Sequence, residues 1–219
     1  MRSLELPVVT FPSPAELARR LPRLLAGIVV LSSGIALLLQ ARLGVDAYDV
    51  LHQGLAKLTG LSFGTVVVLV GLVVLVFWIP VGQRFGLGTI VNTLTVGPLV
   101  DLALRVVPAP GPLVWRWPML LGGILLAALG TGLYIGAGLG PGPRDGLMTG
   151  LAAKGHPLWA VRMALELSAL TGGWLLGGDV GVGTVLFALS IGPLTHWFLA
   201  RLHLGVGVPD RDPVASGAV

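Results

Sequence analysis

LGVDAYDVLHQGL, residues 43–55, lies between two strongly apolar runs and sets Asp46, Asp49, His52 and Gln53 where a crossing chain would prefer to turn. At an offset of 96 residues comes LGPGPRDGLMTGL, residues 139–151, with Asp145 and Gly150 in the places of Asp49 and Gly54. An apolar chain that interrupts itself twice in the same way points to a duplication. How the two interruptions sit in the membrane decides how the halves are arranged.

The likeness extends outward from these stretches. GIALLLQARLG (34–44) aligns with GTGLYIGAGLG (130–140) at the same offset, and after one deletion the match resumes at 95. There Gly86, Gly88, Thr89, Leu94, Gly97, Pro98 and Leu99 are identical to Gly181, Gly183, Thr184, Leu189, Gly192, Pro193 and Leu194. Each half then holds three long apolar runs and one short insert.

Composition places these runs in lipid. Of 219 residues, 54% are hydrophobic and 11% are charged, against about 25% charged in an ordinary soluble domain. A soluble helical core of this kind would have every face buried and nothing left for water. The runs fall at 22–41, 64–81, 87–104, 117–138, 157–176 and 183–201, each long enough, or nearly so, for about 30 Å of hydrocarbon. The expected fold is an all-α polytopic transmembrane bundle of six long spans, with two short broken or re-entrant helices at 46–60 and 142–155. It divides into an N-terminal cytoplasmic segment (1–21), a first repeat (22–104), a linker (105–116), a second repeat (117–201) and a polar tail (202–219). Both repeats build one membrane domain. SPAE, residues 13–16, has capping-box spacing with Pro14 at the first helical position. It marks either a short interfacial helix or an early start to the first span.

Three crossings per half force the two copies into opposite orientations, an inverted repeat about an axis in the membrane plane. If the short inserts crossed as well, each half would cross four times and the copies would be parallel. Basic residues separate the two schemes weakly. With six crossings and the N-terminus cytoplasmic, Arg19, Arg20, Arg23, Arg84, Arg144, Lys154 and Arg201 fall inside, against Arg42, Lys57, Arg105 and Arg116 outside. The shortness of the inserts favours six.

Polar groups in apolar surroundings are the candidate site. Asp49 and Asp145 hold equivalent positions, as N-caps of short helices or as acids lining a central cavity. Arg162 and Glu166 stand four apart on one helical face of the fifth run, opposite Val66 and Val70 of the first half. They form either a salt bridge holding helices together or a site for a small polar or anionic solute with Arg162 as ligand. Gly97 with Pro98, and Gly192 with Pro193, are candidate kinks or gates, since proline removes a backbone donor within a span. Asn92, Thr95 and Ser190 read as interhelical hydrogen bonds, and the six tryptophans as interfacial anchors. Gly27, Ser32 and Gly34 offer a small-residue face for packing helix to helix or monomer to monomer, so a homo-oligomer stays open.

Other chemistry finds no foothold. Cysteine is absent, no phosphate-binding glycine loop follows a strand, and neither HExxH nor GxSxG occurs. No cofactor, metal, enzymatic activity or nucleic-acid partner is expected, and the partner surface is the lipid bilayer.

The glycine-rich pairs 43–55 and 139–151, with VGPLVD (96–101) and IGPLTH (191–196), resemble the bacterial YczE/YitT-type small integral membrane proteins over about 27–201. The L-G-x-x-x-x-D element is present as Gly44 to Asp49 and as Gly140 to Asp145. The first copy lacks the prolines that the second has at Pro141 and Pro143. The resemblance implies a multi-pass cell-membrane protein and names no reaction. The functional expectation is a small-solute permease or channel-like transporter with its path between two inverted repeats. The alternative is a non-transporting scaffold or accessory protein for an export or biosynthetic system.

Overall fold

The computed structural model describes residues 13–108 and 111–202. Residues 1–12, positions 109–110 of the linker and the polar tail from 203 onward lie outside the described residues, as do the expectations placed on them.

The capping box works as its spacing implies. The Glu16 amide donates to Ser13 Oγ at 3.4 Å, and the Glu16 carboxylate accepts from the Ser13 amide at 3.1 Å. Helix α1 (Pro14–Ala41) then runs on without a break, so this is an early start to the first apolar helix. It ends at Arg42, which takes a left-handed φ of 52°. The remaining elements are α2 (Ala47–Thr59), α3 (Phe63–Val81), α4 (Leu87–Val106), α5 (Leu113–Gly136), α6 (Pro143–Ala152), α7 (Leu158–Leu175) and α8 (Val182–Leu202).

Five of these, α1, α3, α4, α5 and α8, are long and apolar enough to cross a membrane. That is one fewer than the six runs expected. The run at 157–176 does fold into the 18-residue helix α7, but Arg162 and Glu166 lower its apolar content. The two inserts are helical and short. Thirteen residues make α2 about 20 Å long and ten make α6 about 15 Å, well below the hydrocarbon thickness. Leu69, Leu72, Val73, Val76 and Phe77 of α3, and Val185 and Leu189 of α8, are exposed. So extensive an apolar exterior suits acyl chains rather than water.

Glycines set the central seam. A methyl on Gly27 would lie 2.5 Å from the Tyr134 amide nitrogen, and one on Gly34 would lie 2.6 Å from that of Ala127. Gly27 faces the Gly130 carbonyl and Gly34 faces that of Gly123, so α1 and α5 run antiparallel at backbone contact. At the offset of 96, Gly27 corresponds to Gly123 and Gly34 to Gly130, so each member of the pair meets the partner's opposite member. The small-residue face of α1 is therefore spent inside the chain and does not join monomers. Ser32 is likewise internal, its hydroxyl donating to the Val96 carbonyl of α4 at 3.3 Å.

The remaining contacts are reciprocal. Helix α4 lies along α1, and α8 lies along α5, with Gly132 against Phe198 and Leu120 against Gly183. Insert α2 packs on α7 of the other half, Val50 and Leu51 against Gly173; α6 packs on α3, Gly146 against Trp78. The loops before the inserts do the same. The Gly183 amide donates to the Leu43 carbonyl, and the Gly88 amide to that of Leu139, both at 2.7 Å. Gly44 and Gly140 adopt φ values of 103° and 121° there, a region open to glycine and strained for other residues.

Trp78 departs from the anchor role expected of it. Its side chain is fully buried and its indole N–H donates to the Pro143 carbonyl at 2.9 Å. The other five tryptophans are exposed.

Candidate functional site

The two inserts begin deep in the bundle and point their N-termini at each other. Asp46 holds the N-cap position of α2 and Gly142 that of α6, and neither makes a side-chain capping bond. The Asp46 carboxylate instead accepts from Arg144 Nη1 at 2.5 Å, tying one half to the other. The Arg144 guanidinium also sits 5.1 Å from the centre of the Tyr48 ring and 3.9 Å from Asp145 Oδ1. Positions 48 and 144 are separated by the same offset of 96 that relates the two interruptions.

Asp49 and Asp145 are not the N-caps of their helices. Both stand in the first turn of their helices and use their side chains elsewhere. Asp49 Oδ1 is 3.3 Å from Nδ1 of buried His52, and Asp145 Oδ2 accepts from the Tyr134 hydroxyl at 2.6 Å.

Two cavities of about 170 Å³ flank the Asp46–Arg144 pair, and both residues line each of them. The first cavity lies against α3 and α4 and brings Asp49 and Asp145 into one space with His52, Asn92 and Tyr134. Leu31 and Thr131, from the middle of the α1–α5 seam, close it. The second lies against α7 and α8 and contains Arg162 and Glu166. The four charged residues expected to form a site are thus divided between two chambers with a common wall.

Arg162 Nε donates to Glu166 Oε1 at 2.9 Å, one turn along α7. The bond lies within one helix and does not hold two helices together. Thr95 also bonds within its own helix, to the Val91 carbonyl at 2.6 Å, and Asn92 makes no side-chain hydrogen bond among the described residues although it is 8% exposed. The expected interhelical bonds from these two are absent there.

The proline pairs lie outside both cavities. Gly97 is pressed on Gly64 of α3, whereas a methyl on Gly192 would meet nothing within 4 Å. Pro98 borders a separate surface groove with Asp101 and Arg105, and Asp101 closes the start of α3 by accepting from Ser62 Oγ at 2.6 Å and the Gly64 amide at 2.8 Å.

Sequence reasoning missed the centre of the site. In the sequence Arg144 enters only as a basic residue on the cytoplasmic side, and Asp49 rather than Asp46 stands out as the acid of the first insert. The signal was present: Arg144 follows Pro143 inside the repeated interruption, and Asp46 occupies the matching interruption of the first half.

Fold and site together define a polytopic helical membrane protein with repeat-like helix contacts and two short helices joined by an ion pair. The chain belongs to the family of unknown function DUF6198, whose model matches residues 18–200. It is 40% identical over 177 residues to an uncharacterized protein of Haemophilus influenzae, covering 80% of this chain and 81% of that one. It is 30% identical over 189 residues to the uncharacterized membrane protein YczE of Bacillus subtilis, with 85% and 88% covered. To the uncharacterized protein YyaS of the same organism it is 30% identical over 180 residues, with 79% and 89% covered. The resemblance to YczE-type proteins is thus met at the level of the family. No solved structure matches.

Proposed function

We propose that the protein is a small-solute permease or channel-like transporter whose path runs between two inverted three-crossing repeats. The observation that carries this is the Asp46–Arg144 bridge, made between the facing ends of two short helices with a cavity on either side. Broken helices leave backbone amides and carbonyls without partners, which lipid does not tolerate away from protein or water. Paired breaks at the interface of two repeats are the arrangement secondary transporters use for solute sites. The antiparallel α1–α5 seam, with its crosswise glycine contacts, supports inversion about an axis in the membrane plane. Helix α7 is then the sixth crossing, with Arg162 and Glu166 turned to the second cavity. The N-terminus and Arg19, Arg20 and Arg23 lie on the cytoplasmic side of the cell membrane. Gly97–Pro98 and Gly192–Pro193 serve as flexible points of the two outer helices.

In this reading Asp46 and Arg144 are a latch that separates the chambers, and Asp49, Asp145, Arg162 and Glu166 contact the solute. The test is flux into proteoliposomes across a panel of charged and neutral solutes. Wild type should exceed protein-free liposomes for at least one solute class. Arg144→Gln should lower that flux about tenfold or more while the protein stays folded. Flux indistinguishable from protein-free liposomes across the panel would favour the scaffold reading instead.

A further inference from the structure

The first cavity is unbalanced in charge. It gathers three carboxylates, Asp46, Asp49 and Asp145, around the single guanidinium of Arg144. Arg144 is already engaged by Asp46 at 2.5 Å and approached by Asp145 at 3.9 Å, so little of it is left for an anion. Even a protonated His52 would leave the site negative. Excess negative charge partly withdrawn from water favours a neutralising partner, a cation or a proton. The second cavity, with Asp46 and Glu166 against Arg144 and Arg162, is balanced and makes no such demand.

Asn92 points the same way independently. It lines the first cavity, is 8% exposed and has no hydrogen-bond partner for its amide among the described residues. Its amide borders the open space of the cavity, where a ligand N–H could reach its oxygen. The rest of the wall selects further. Tyr48 and Tyr134 line it with aromatic rings, a group that attracts cations, although Tyr48 already carries Arg144 over one face, while Val67, Val70 and Val74 of α3 offer apolar surface for methyl or methylene groups. A bare ion would leave most of about 170 Å³ unfilled, and no group of three or more His, Asp or Glu is arranged to hold a metal among the described residues.

We propose that the first cavity binds a small organic cation, an ammonium of several non-hydrogen atoms, between the Asp49 and Asp145 carboxylates, the Asn92 amide and the tyrosine rings. This rests on the permease reading for its biological sense, and its test is separable from flux. Purified full-length protein in lipid nanodiscs is titrated calorimetrically with ethylammonium and with tetramethylammonium chloride, and with sodium acetate at the same ionic strength. At least one ammonium should bind saturably and acetate should not. Asp49→Asn should weaken that binding about tenfold, the loss of one charge-assisted contact. Asn92→Ala should weaken it less and Asn92→Asp should tighten it, which keeps the proposal exposed if Asp49→Asn does not fold. Saturable acetate binding without ammonium binding, or no ammonium binding by folded protein, overturns it. Flux of an anionic or neutral solute without ammonium binding would retain the permease and remove the cation site. Ammonium binding without flux of any solute would do the reverse.

Discussion

The two cavities are framed by repeat-like helix contacts and differ in what they hold. Around the first, α3 supplies valines and glycine, and the charges come from the inserts of both halves. Around the second, α7 supplies its own arginine and glutamate, already joined to each other at 2.9 Å. What has stayed constant is the backbone pairing of Leu43 with Gly183 and of Leu139 with Gly88. Those contacts need only a carbonyl, an amide and room for close approach. Side chains projecting into space between helices are under no such restraint, so similar frames hold different charges.

Breaking the shared wall should have the largest effect. Arg144→Ala strands Asp46 beside Asp145 and should cost about 2–3 kcal/mol in unfolding measured in detergent. That is at or below the floor of the range of about 3–5 kcal/mol for breaking a buried pair, because Arg144 is 32% exposed and Asp46 15%. Adding Asp46→Asn should return much of the loss, since the stranded charge is removed with its partner. Next come the twin glycines before proline. Gly97→Ala drives a methyl into the Gly64 backbone and should cost about 1–3 kcal/mol by overpacking. Gly192→Ala meets open space and should be neutral or stabilising by about 0.5–1 kcal/mol, the usual gain of alanine in a helix interior. Equal effects at the two glycines would mean that their surroundings do not differ as described. The smallest effect belongs to the second cavity. Replacing Arg162 and Glu166 together by glutamine should change stability by only about 0.3–0.5 kcal/mol, the worth of a pair one helical turn apart. If that double variant were as damaging as Arg144→Ala, the contrast between the chambers would be lost.

Much of the frame was legible because it is written in local patterns. Apolar runs gave the long helices, Ser13 with Glu16 gave the start of α1, and glycines and prolines at fixed offsets gave the correspondence of the halves. The shortness of α2 and α6 followed from the interruption itself. The site was legible only in part. Asp49, Asp145, Arg162 and Glu166 were visible as charges in apolar surroundings, and all four border a cavity. That Arg144 and Asp46 are the ones that meet depends on two segments 98 residues apart bringing their N-terminal ends together. Nothing in either stretch alone records that. Trp78 was misread for a similar reason: its place near a helix end matches an interfacial anchor until α6 lays Gly146 against its ring.

The amino-acid sequence by itself determined that this chain lives in lipid and where its long apolar runs are interrupted. These are matters of hydrophobicity, period and glycine placement, felt residue by residue along the chain. Only the tertiary structure decided which charges pair, which face a cavity and which glycine has a neighbour. Those outcomes turn on distances of a few ångströms between remote segments, and electrostatic and packing energies change steeply over that range.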